Sequence, residues 1–257
     1  MSNYSELGEF LRVRRAALQP EEVGLINYGI RRVPGLRREE LAMLAGVSNT
    51  YYTRLEQGQS TNASEAVIDA IARALNLNRD ERRHLFNLAR PSSTKRRPSV
   101  RPDKARSGTL RLIQSMPSTP AIVMGRRSEV LAWNRLGHRL VAGHLDFFAP
   151  STPGTRPNMT RMLFLDPHTR ELYSRWKDEA ARAVSSLRLL AGRSSEDPEL
   201  ASLVGELTMN SEEFTKLWAR HPVENCMSGI KHMHHPEVGN LELHFEVLGS
   251  PDSYVLS

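Results

Sequence analysis

Apolar residues recur every three or four positions through the first 90 residues, which is the spacing of one face of an α-helix. The longest such stripe consists of Val67, Ile68, Ile71, Ala72 and Leu75. It follows Ser64, a favourable helix N-cap, and the pair Asn78 and Glu81 predicts the start of the next helix. Together with amphipathic stretches before residue 58, this pattern predicts an all-α N-terminal domain of about five helices, residues 1–90.

The pattern changes at residue 91, where three prolines, four Ser or Thr residues and four basic residues occupy eleven of the twelve positions 91–102. We therefore predict a flexible basic linker over residues 91–108. Beyond it, apolar runs at 120–124 and 130–133 flank a glycine-containing turn, which predicts a β-hairpin. Asn134 predicts the N-cap of a helix that reaches Val141, and residues 145–157 read as a loop.

Helices are predicted at 158–165, 168–191, 197–209 and 211–220, and the final block then alternates with the period of a strand. Its apolar face consists of Leu241, Leu243, Phe245 and Val247, and its polar face of Glu242, His244 and Glu246. Strands on both sides of a set of helices predict an α+β domain over residues 109–257.

The net charge of +6 is distributed unevenly. Residues 1–108 hold 19 basic and 12 acidic residues, whereas residues 109–257 hold 16 and 17. This asymmetry favours a part that binds a polyanion such as double-stranded DNA, although a solvated basic face would have the same composition. The chain has one cysteine, no apolar run long enough for a membrane span and no signal-peptide pattern, so we expect a cytoplasmic protein without disulfides.

Residues 35–58 carry the most specific pattern, a helix, a Gly46-Val47-Ser48 turn and a second helix. Leu41, Leu44 and Ala45 are expected on one buried face of the first helix. Gly46 suits the left-handed turn, Ser48 can cap the second helix, and Gly58 can end it. Val47, Tyr52 and Leu55 are predicted core residues. The pattern predicts a helix-turn-helix DNA-binding motif.

In such a motif the start of the second helix meets base edges, and the first helix lies against phosphate. The candidate DNA-binding residues are Arg37, Arg38, Ser48, Asn49, Thr50, Tyr51 and Arg54. Asn49 can pair with adenine and Arg54 with guanine or phosphate, while a surface ion pair is the alternative for Arg54. Arg37 is equally well explained as a solvated side chain. Arg31 and Arg32 are further candidates for the DNA backbone.

The same stretch resembles the XRE (lambda-repressor-like) helix-turn-helix family, and residues 32–42 (RVPGLRREELA) and 51–58 (YYTRLEQG) are similar to the MmyB-like regulators. The second half agrees at 119–124 (TPAIVM), 131–135 (LAWNR), 163–167 (LFLDP), 214–221 (FTKLWARH) and 235–239 (HPEVG). The resemblance implies a PAS-like sensor domain, in a family where fatty-acid binding is known, and a bacterial, nucleoid-associated protein.

The resemblance also implies that Glu56 pairs with Arg15, and that a further long strand follows Val247 and Leu248. Only ten residues follow Val247, so we expect an incomplete sheet and a pocket that is open at that edge. Because one recognition helix reads only about four base pairs, a homodimer on a repeated half-site is expected.

The candidate ligand-binding residues are Trp133, Arg156, Asn158, Phe164 and Phe245. With Val123, Leu131 and Leu243, the aromatic residues would bound an apolar pocket for an acyl chain, and Arg156 or Asn158 would receive its head group. The plainer reading places Trp133, Phe164, Trp176 and Trp218 in the core. His232 and His234 share one strand face, yet without an obvious carboxylate partner we predict no metal site and no cofactor.

The leading interpretation is a sequence-specific transcriptional regulator whose C-terminal domain senses a small apolar ligand, with a fatty acid as the expected effector. An enzyme tethered to DNA is disfavoured, because the second half lacks nucleophile-elbow, phosphate-loop and zinc-protease motifs and Cys226 has no evident activating partner. A DNA-binding adaptor, whose C-terminal domain binds another protein, is the alternative.

Overall fold

The computed structural model describes residues 3–25, 35–59, 63–89, 104–192, 197–220, 227–249 and 254–256. The chain divides into two compact units, and each is presented by itself. Most of the predicted linker, together with Arg31, Arg32 and Cys226, lies outside the described residues. The flexibility of the linker and the predicted domain boundaries therefore stay predictions.

The described part of the first unit contains five helices, as predicted. They are α1 (Asn3–Ala17), α2 (Arg38–Leu44), α3 (Asn49–Glu56), α4 (Glu65–Ala74) and α5 (Arg79–Ala89), with a short 3-10 turn at Pro20–Val23. Ser64 caps α4, because its hydroxyl accepts the Val67 N–H at 3.3 Å. The Asn78 side chain accepts the Glu81 N–H at 2.9 Å, and the Glu81 carboxylate accepts the Asn78 N–H at 2.9 Å, which is a complete capping box.

The core of the first unit is formed by fully buried side chains on all five helices. They include Phe10, Leu11, Leu41, Tyr52, Leu55, Ile68, Ile71 and Leu85. The prediction for Leu44 was wrong, since it is 36% exposed. The buried face of α2 runs through Leu41, Ala42 and Ala45, so Leu44 lies beyond its edge.

The described part of the second unit contains seven helices and five strands. The helices are α6 (Ser107–Gln114), α7 (Arg135–Ala142), α8 (Met159–Leu165), α9 (Pro167–Leu172), α10 (Trp176–Ala191), α11 (Pro198–Asn210) and α12 (Glu212–Ala219). The strands are β1 (Ile122–Met124), β2 (Val130–Trp133), β3 (Ser228–His235), β4 (Gly239–Gly249) and β5 (Tyr254–Leu256). None of the described helices is long and apolar enough to cross a membrane.

The predicted single helix over 168–191 was wrong. It is interrupted between α9 and α10, where Tyr173 forms an antiparallel bridge with Met233 and the Ser174 N–H donates to the His232 carbonyl at 3.1 Å. Strand β3 therefore supplies the hydrogen bonds that a continuous helix would have made, and helical periodicity alone gives no sign of this. The predicted loop 145–157 contains two 3-10 turns, Ala149–Ser151 and Pro153–Thr155.

The strands form one antiparallel sheet in the order β2-β1-β5-β4-β3. The predicted hairpin of β1 and β2 is confirmed, and so is the alternation along β4, where Phe245 is buried and Glu242, His244 and Glu246 are exposed. The expectation of an incomplete sheet was wrong. Strand β5 has only three residues, but it pairs with β1 on one side and β4 on the other.

The pairing register separates two faces of this sheet, because directly paired residues point to the same side. The inner face carries Ile122, Trp133, Leu256, Val247, Phe245, Leu243 and Lys231. The outer face carries Val123, Ala132, Val255, Leu248, Glu242, His244 and His232. On the inner face, the His235 ring hydrogen-bonds the Arg139 carbonyl of α7, and Lys231 pairs with Glu179 of α10.

Candidate functional site

One side of α3 is mostly exposed, with Thr53 half-buried. At 100° per residue, Asn49, Thr50, Thr53, Arg54 and Gln57 project from one side, and Tyr52, Leu55 and Glu56 are buried on the other. This is the face of the second helix that a helix-turn-helix motif presents to the major groove. The sequence analysis missed Thr53 and Gln57, although the spacing of Asn49, Thr53 and Gln57 at i, i+4, i+8 contains the signal.

Two of the predicted base-reading residues, Asn49 and Arg54, lie on this face with polar groups available to contact DNA. The Thr53 hydroxyl donates to the Asn49 side-chain oxygen at 3.4 Å, a weak contact that leaves the Asn49 amide nitrogen available as a donor. Arg54 is exposed and makes no ion pair with any residue that the structure describes. The alternative of a surface ion pair therefore has no support within the described residues.

The turn between α2 and α3 has the predicted geometry. Gly46 in this turn has a φ of 66°, and Gly58, which follows the end of α3, has a φ of 72°. Both values lie in the left-handed region that favours glycine. The Ser48 hydroxyl accepts the Tyr51 N–H at 3.1 Å, so Ser48 caps α3 and retains its own proton for donation. Thr50 is exposed, and Tyr51 lies half-buried beside this face.

A buried carboxylate connects this interface to the core. Arg15 donates to both oxygens of Glu56, from Nε at 2.8 Å and from Nη2 at 2.9 Å, which confirms the pair implied by the resemblance. Arg15 Nη1 also donates to the Leu36 carbonyl at 2.6 Å. Burial alone would raise the pKa of Glu56, but the hydrogen bonds and charge of Arg15 hold it below its ordinary value. Glu56 therefore stays ionised inside the unit.

Arg38 belongs to the same network. Its Nε donates to Glu56 Oε1 at 2.8 Å, while 44% of its side chain is exposed. Arg38, a candidate for DNA contact, therefore also has a structural role that the sequence pattern does not indicate. Arg37 lies at the N-cap of α2, exposed, with its guanidinium 3.5 Å from Glu39. Arg37 is therefore the basic residue of α2 whose removal least disturbs the fold.

The predicted ligand-binding residues lie in separate surroundings. Trp133 on β2 is buried, and its indole N–H donates to the Phe147 carbonyl at 2.8 Å. Phe164 on α8 makes edge-to-face contacts with Trp176 and Phe214, with ring centroids 5.6 and 5.2 Å apart. Among the described residues, no ring contact joins Trp133, Phe164 and Phe245. Phe164 therefore occupies a helical aromatic cluster.

Phe245 is buried on the inner face next to a cation. The Lys231 Nζ lies 4.6 Å from the centre of its ring and pairs with the Glu179 carboxylate. The same ammonium lies 5.6 Å from the centre of the Tyr173 ring, and burial raises the pKa of the Tyr173 phenol. Leu243, directly opposite Lys231 in the hairpin, is half-buried. The sequence analysis missed Lys231, because a lone lysine in a strand gives no sign of the face it occupies.

The two predicted head-group residues have structural partners. Asn158 is buried, caps α8 by accepting the Arg161 N–H at 3.0 Å, and donates to the Arg127 carbonyl at 2.7 Å. Arg156 is half-buried, and its Nε donates to the Pro150 carbonyl at 3.0 Å. Asn158 is thus held by the fold at both ends of its amide, and a head group would have to displace these bonds.

The predicted pocket wall was wrong in two places. Val123 and Leu131 pack with Ile113 of α6 and Ala121, in a cluster of their own. Val123 pairs with Ala132, whereas Trp133 pairs with Ile122, so Val123 and Trp133 point to opposite faces. The register shift between Val123 and Met124 explains why Leu131 is not on the face of Trp133, because it interrupts the strict alternation of side chains along the strand.

The histidines of β3 also have partners. His232 lies 3.4 Å from Glu242, and His234 hydrogen-bonds Asn240 at 2.7 Å. The absence of a carboxylate near His232 was therefore a wrong inference, since Glu242 lies directly across the hairpin. The described residues that do bring metal-ligating atoms together are His144, Asp166 and His168, which the sequence analysis missed because they lie on different segments.

Comparisons with known families match both units. Residues 6–85 match the helix-turn-helix domain family, and residues 105–256 match the family described as the MmyB-like transcription regulator ligand binding domain. Both are regulator domains, which confirms the resemblance, the α+β layout of the second unit and the non-enzymatic interpretation. A search of curated proteins finds no significant match to this chain.

Proposed function

We propose, from the premise that the chain belongs to the family of MmyB-like transcription regulators, that its second unit senses a fatty acid and thereby alters binding of the first unit to an operator. The chain is a DNA-binding transcription regulator with a ligand-sensing domain. We propose in addition a ligand, its binding site and the assembly that binds DNA.

The inner face of the sheet is the observation that carries this proposal. Leu241, Leu243 and Val247 are only half-buried, although they surround the buried Phe245 on an apolar strip of β4. An acyl chain laid on this strip would remove apolar surface from water at about 0.8 kcal/mol per CH₂. The Lys231 ammonium on the same face offers a cation for a carboxylate, as an alternative to Arg156.

A series of fatty acids of increasing length tests the site. We expect the thermal midpoint to rise with each added CH₂ until the strip is filled, and operator affinity to change in parallel, because a ligand shifts DNA binding only through unequal affinity for two states. Leu243→Trp should shorten the best-bound chain. His244→Ala, the next residue on the opposite face, is the matched control.

The contrary outcomes separate two parts of the proposal. An equal thermal response to short and long chains would remove the fatty-acid site. Stabilisation without a change in operator affinity would keep the site and remove the regulatory switch. The assembly is tested separately: we propose a homodimer on a repeated operator, and a monomer bound at full affinity to one half-site in sedimentation would contradict it.

A further inference from the structure

Two imidazoles and a carboxylate converge on the surface of the second unit. His144 follows the end of α7, Asp166 lies between α8 and α9, and His168 lies in the first turn of α9. His144 Nε2 is 2.7 Å from Asp166 Oδ2, and His168 Nδ1 is 3.3 Å from Asp166 Oδ1. One potential ligand atom from each of the three residues lies within 4.8 Å of the others.

The carboxylate of this cluster is held in place. Asp166 accepts the Thr169 hydroxyl at 2.9 Å and the His168 backbone N–H at 3.0 Å. Its two oxygens face the two imidazoles, Oδ2 towards His144 and Oδ1 towards His168. A fixed carboxylate therefore lies between two nitrogen ligands.

We propose that His144, Asp166 and His168 bind a divalent transition-metal ion of the zinc class. Two imidazole nitrogens and one carboxylate oxygen form a ligand set typical of Zn²⁺, whereas Mg²⁺ and Ca²⁺ prefer oxygen ligands throughout. The site has three protein ligands and is accessible to solvent, so water completes the coordination. This assignment is independent of the acyl site proposed on the inner face of the sheet.

The imidazole rings show how the site closes on a metal. They stack with centroids 4.6 Å apart and an angle of 11° between their planes. A metal ion lies in the plane of each imidazole that it binds, so the two rings must tilt towards each other. Both histidines are exposed, so their side chains have room to rotate.

A bound ion would connect the end of α7 to the start of α9. The His144–Asp166 contact already joins the two segments that flank these helices. An ion that binds the folded state and not the unfolded chain raises stability by mass action. We therefore expect Zn²⁺ to stabilise the second unit.

The test is competition for Zn²⁺ between the full-length, chelator-treated protein and a chromophoric chelator of micromolar affinity. We expect one equivalent of Zn²⁺ to be bound, a rise in thermal midpoint, and a loss of affinity of about tenfold or more in His144→Ala and in His168→Ala. Co²⁺ in place of Zn²⁺ should show visible ligand-field absorption that both variants lose. Asp166 is left intact because it also caps α9.

The matched control is His244→Ala, an exposed histidine of the outer face, which should bind Zn²⁺ as the wild type does. Circular dichroism of each variant checks that it is folded. The proposal is overturned if the wild type fails to compete for Zn²⁺, if the double variant of His144 and His168 retains its affinity, or if His244→Ala loses it equally. None of these outcomes depends on fatty-acid or operator binding.

Discussion

The two units place their functional residues by different means. In the first unit, one helix of eight residues carries the predicted base-reading residues Asn49 and Arg54, and their outward direction follows from the burial of Tyr52 and Leu55. In the second unit, the inner face draws on all five described strands, and the paired strands β1 and β5 are more than 100 residues apart along the chain. A site on a single helix is determined by local spacing, whereas a site on a sheet is determined by register.

Each unit also contains a carboxylate shared by two cations, and the two ion-pair networks differ in burial. Glu56 pairs with Arg15 and Arg38 and connects three helices. Glu179 pairs with Lys231 and Arg182 and connects α10 to the sheet. The Glu56 carboxylate is 1% exposed and that of Glu179 is 10% exposed, so we expect the first network to matter more for stability.

The largest expected effect is that of Glu56→Gln. Removing the carboxylate charge leaves the guanidinium of Arg15 buried without its counter-ion, which should destabilise the first unit by about 3–5 kcal/mol. Denaturant unfolding measures this. The control is Glu39→Gln, which loses only the exposed contact with Arg37 and should change stability by less than about 1 kcal/mol. Equal effects of the two substitutions would contradict the role assigned to Glu56.

A smaller effect is expected for Lys231→Met. Glu179 keeps Arg182 as a partner, so the loss should be about 2–3 kcal/mol, below that of Glu56→Gln. The double variant Lys231→Met with Glu179→Leu should recover part of this loss, because the cation that remains, Arg182, is 33% exposed and can be solvated. A double variant less stable than either single variant would show that the pair stabilises the fold in its own right.

Substitutions of the predicted base-reading residues should change which DNA sequences the protein prefers. Asn49→Ala and Arg54→Ala should each reduce discrimination between operator and altered sites by about 1–3 kcal/mol, whereas Arg37→Ala should weaken binding to all sequences and lower the salt slope by about one. Arg37 is a cleaner probe than Arg38, which also stabilises Glu56. Selection from randomised DNA decides the matter, and an unchanged consensus in both groove variants would exclude them from base reading.

The smallest expected effect is on pH dependence. The folded pKa of Glu56 lies below the ordinary 4.5, so its contribution is complete above about pH 4.5 and is lost as the pH falls through the lower, folded value. Wild type should therefore lose stability more steeply than Glu56→Gln between about pH 4.5 and the acid limit. Parallel unfolding curves of the two proteins across this range would show that Glu56 is not the group responsible.

Local signals were sufficient for most of the helices and for the helix-turn-helix face. Ser48, Ser64 and Asn134 cap the helices that they were expected to cap, because an N-cap needs only the residue and the next turn of the chain. Gly46 likewise has the left-handed backbone that its turn required. Asn49 and Arg54 project outward because the spacing of buried residues on α3 leaves one side to solvent.

Which residues of the second unit contact one another depends on the tertiary structure. The register shift after Val123 moved Val123 and Leu131 away from the face of Trp133, and β3 interrupted the helix predicted over 168–191. Lys231 and Glu179 are 52 residues apart, and their contact depends on how α10 lies against β3. His144 and His168 likewise meet because α7 and α9 lie close together. Amino-acid sequence determines spacing along each element, but contacts between elements depend on registers and docking angles that no local pattern contains.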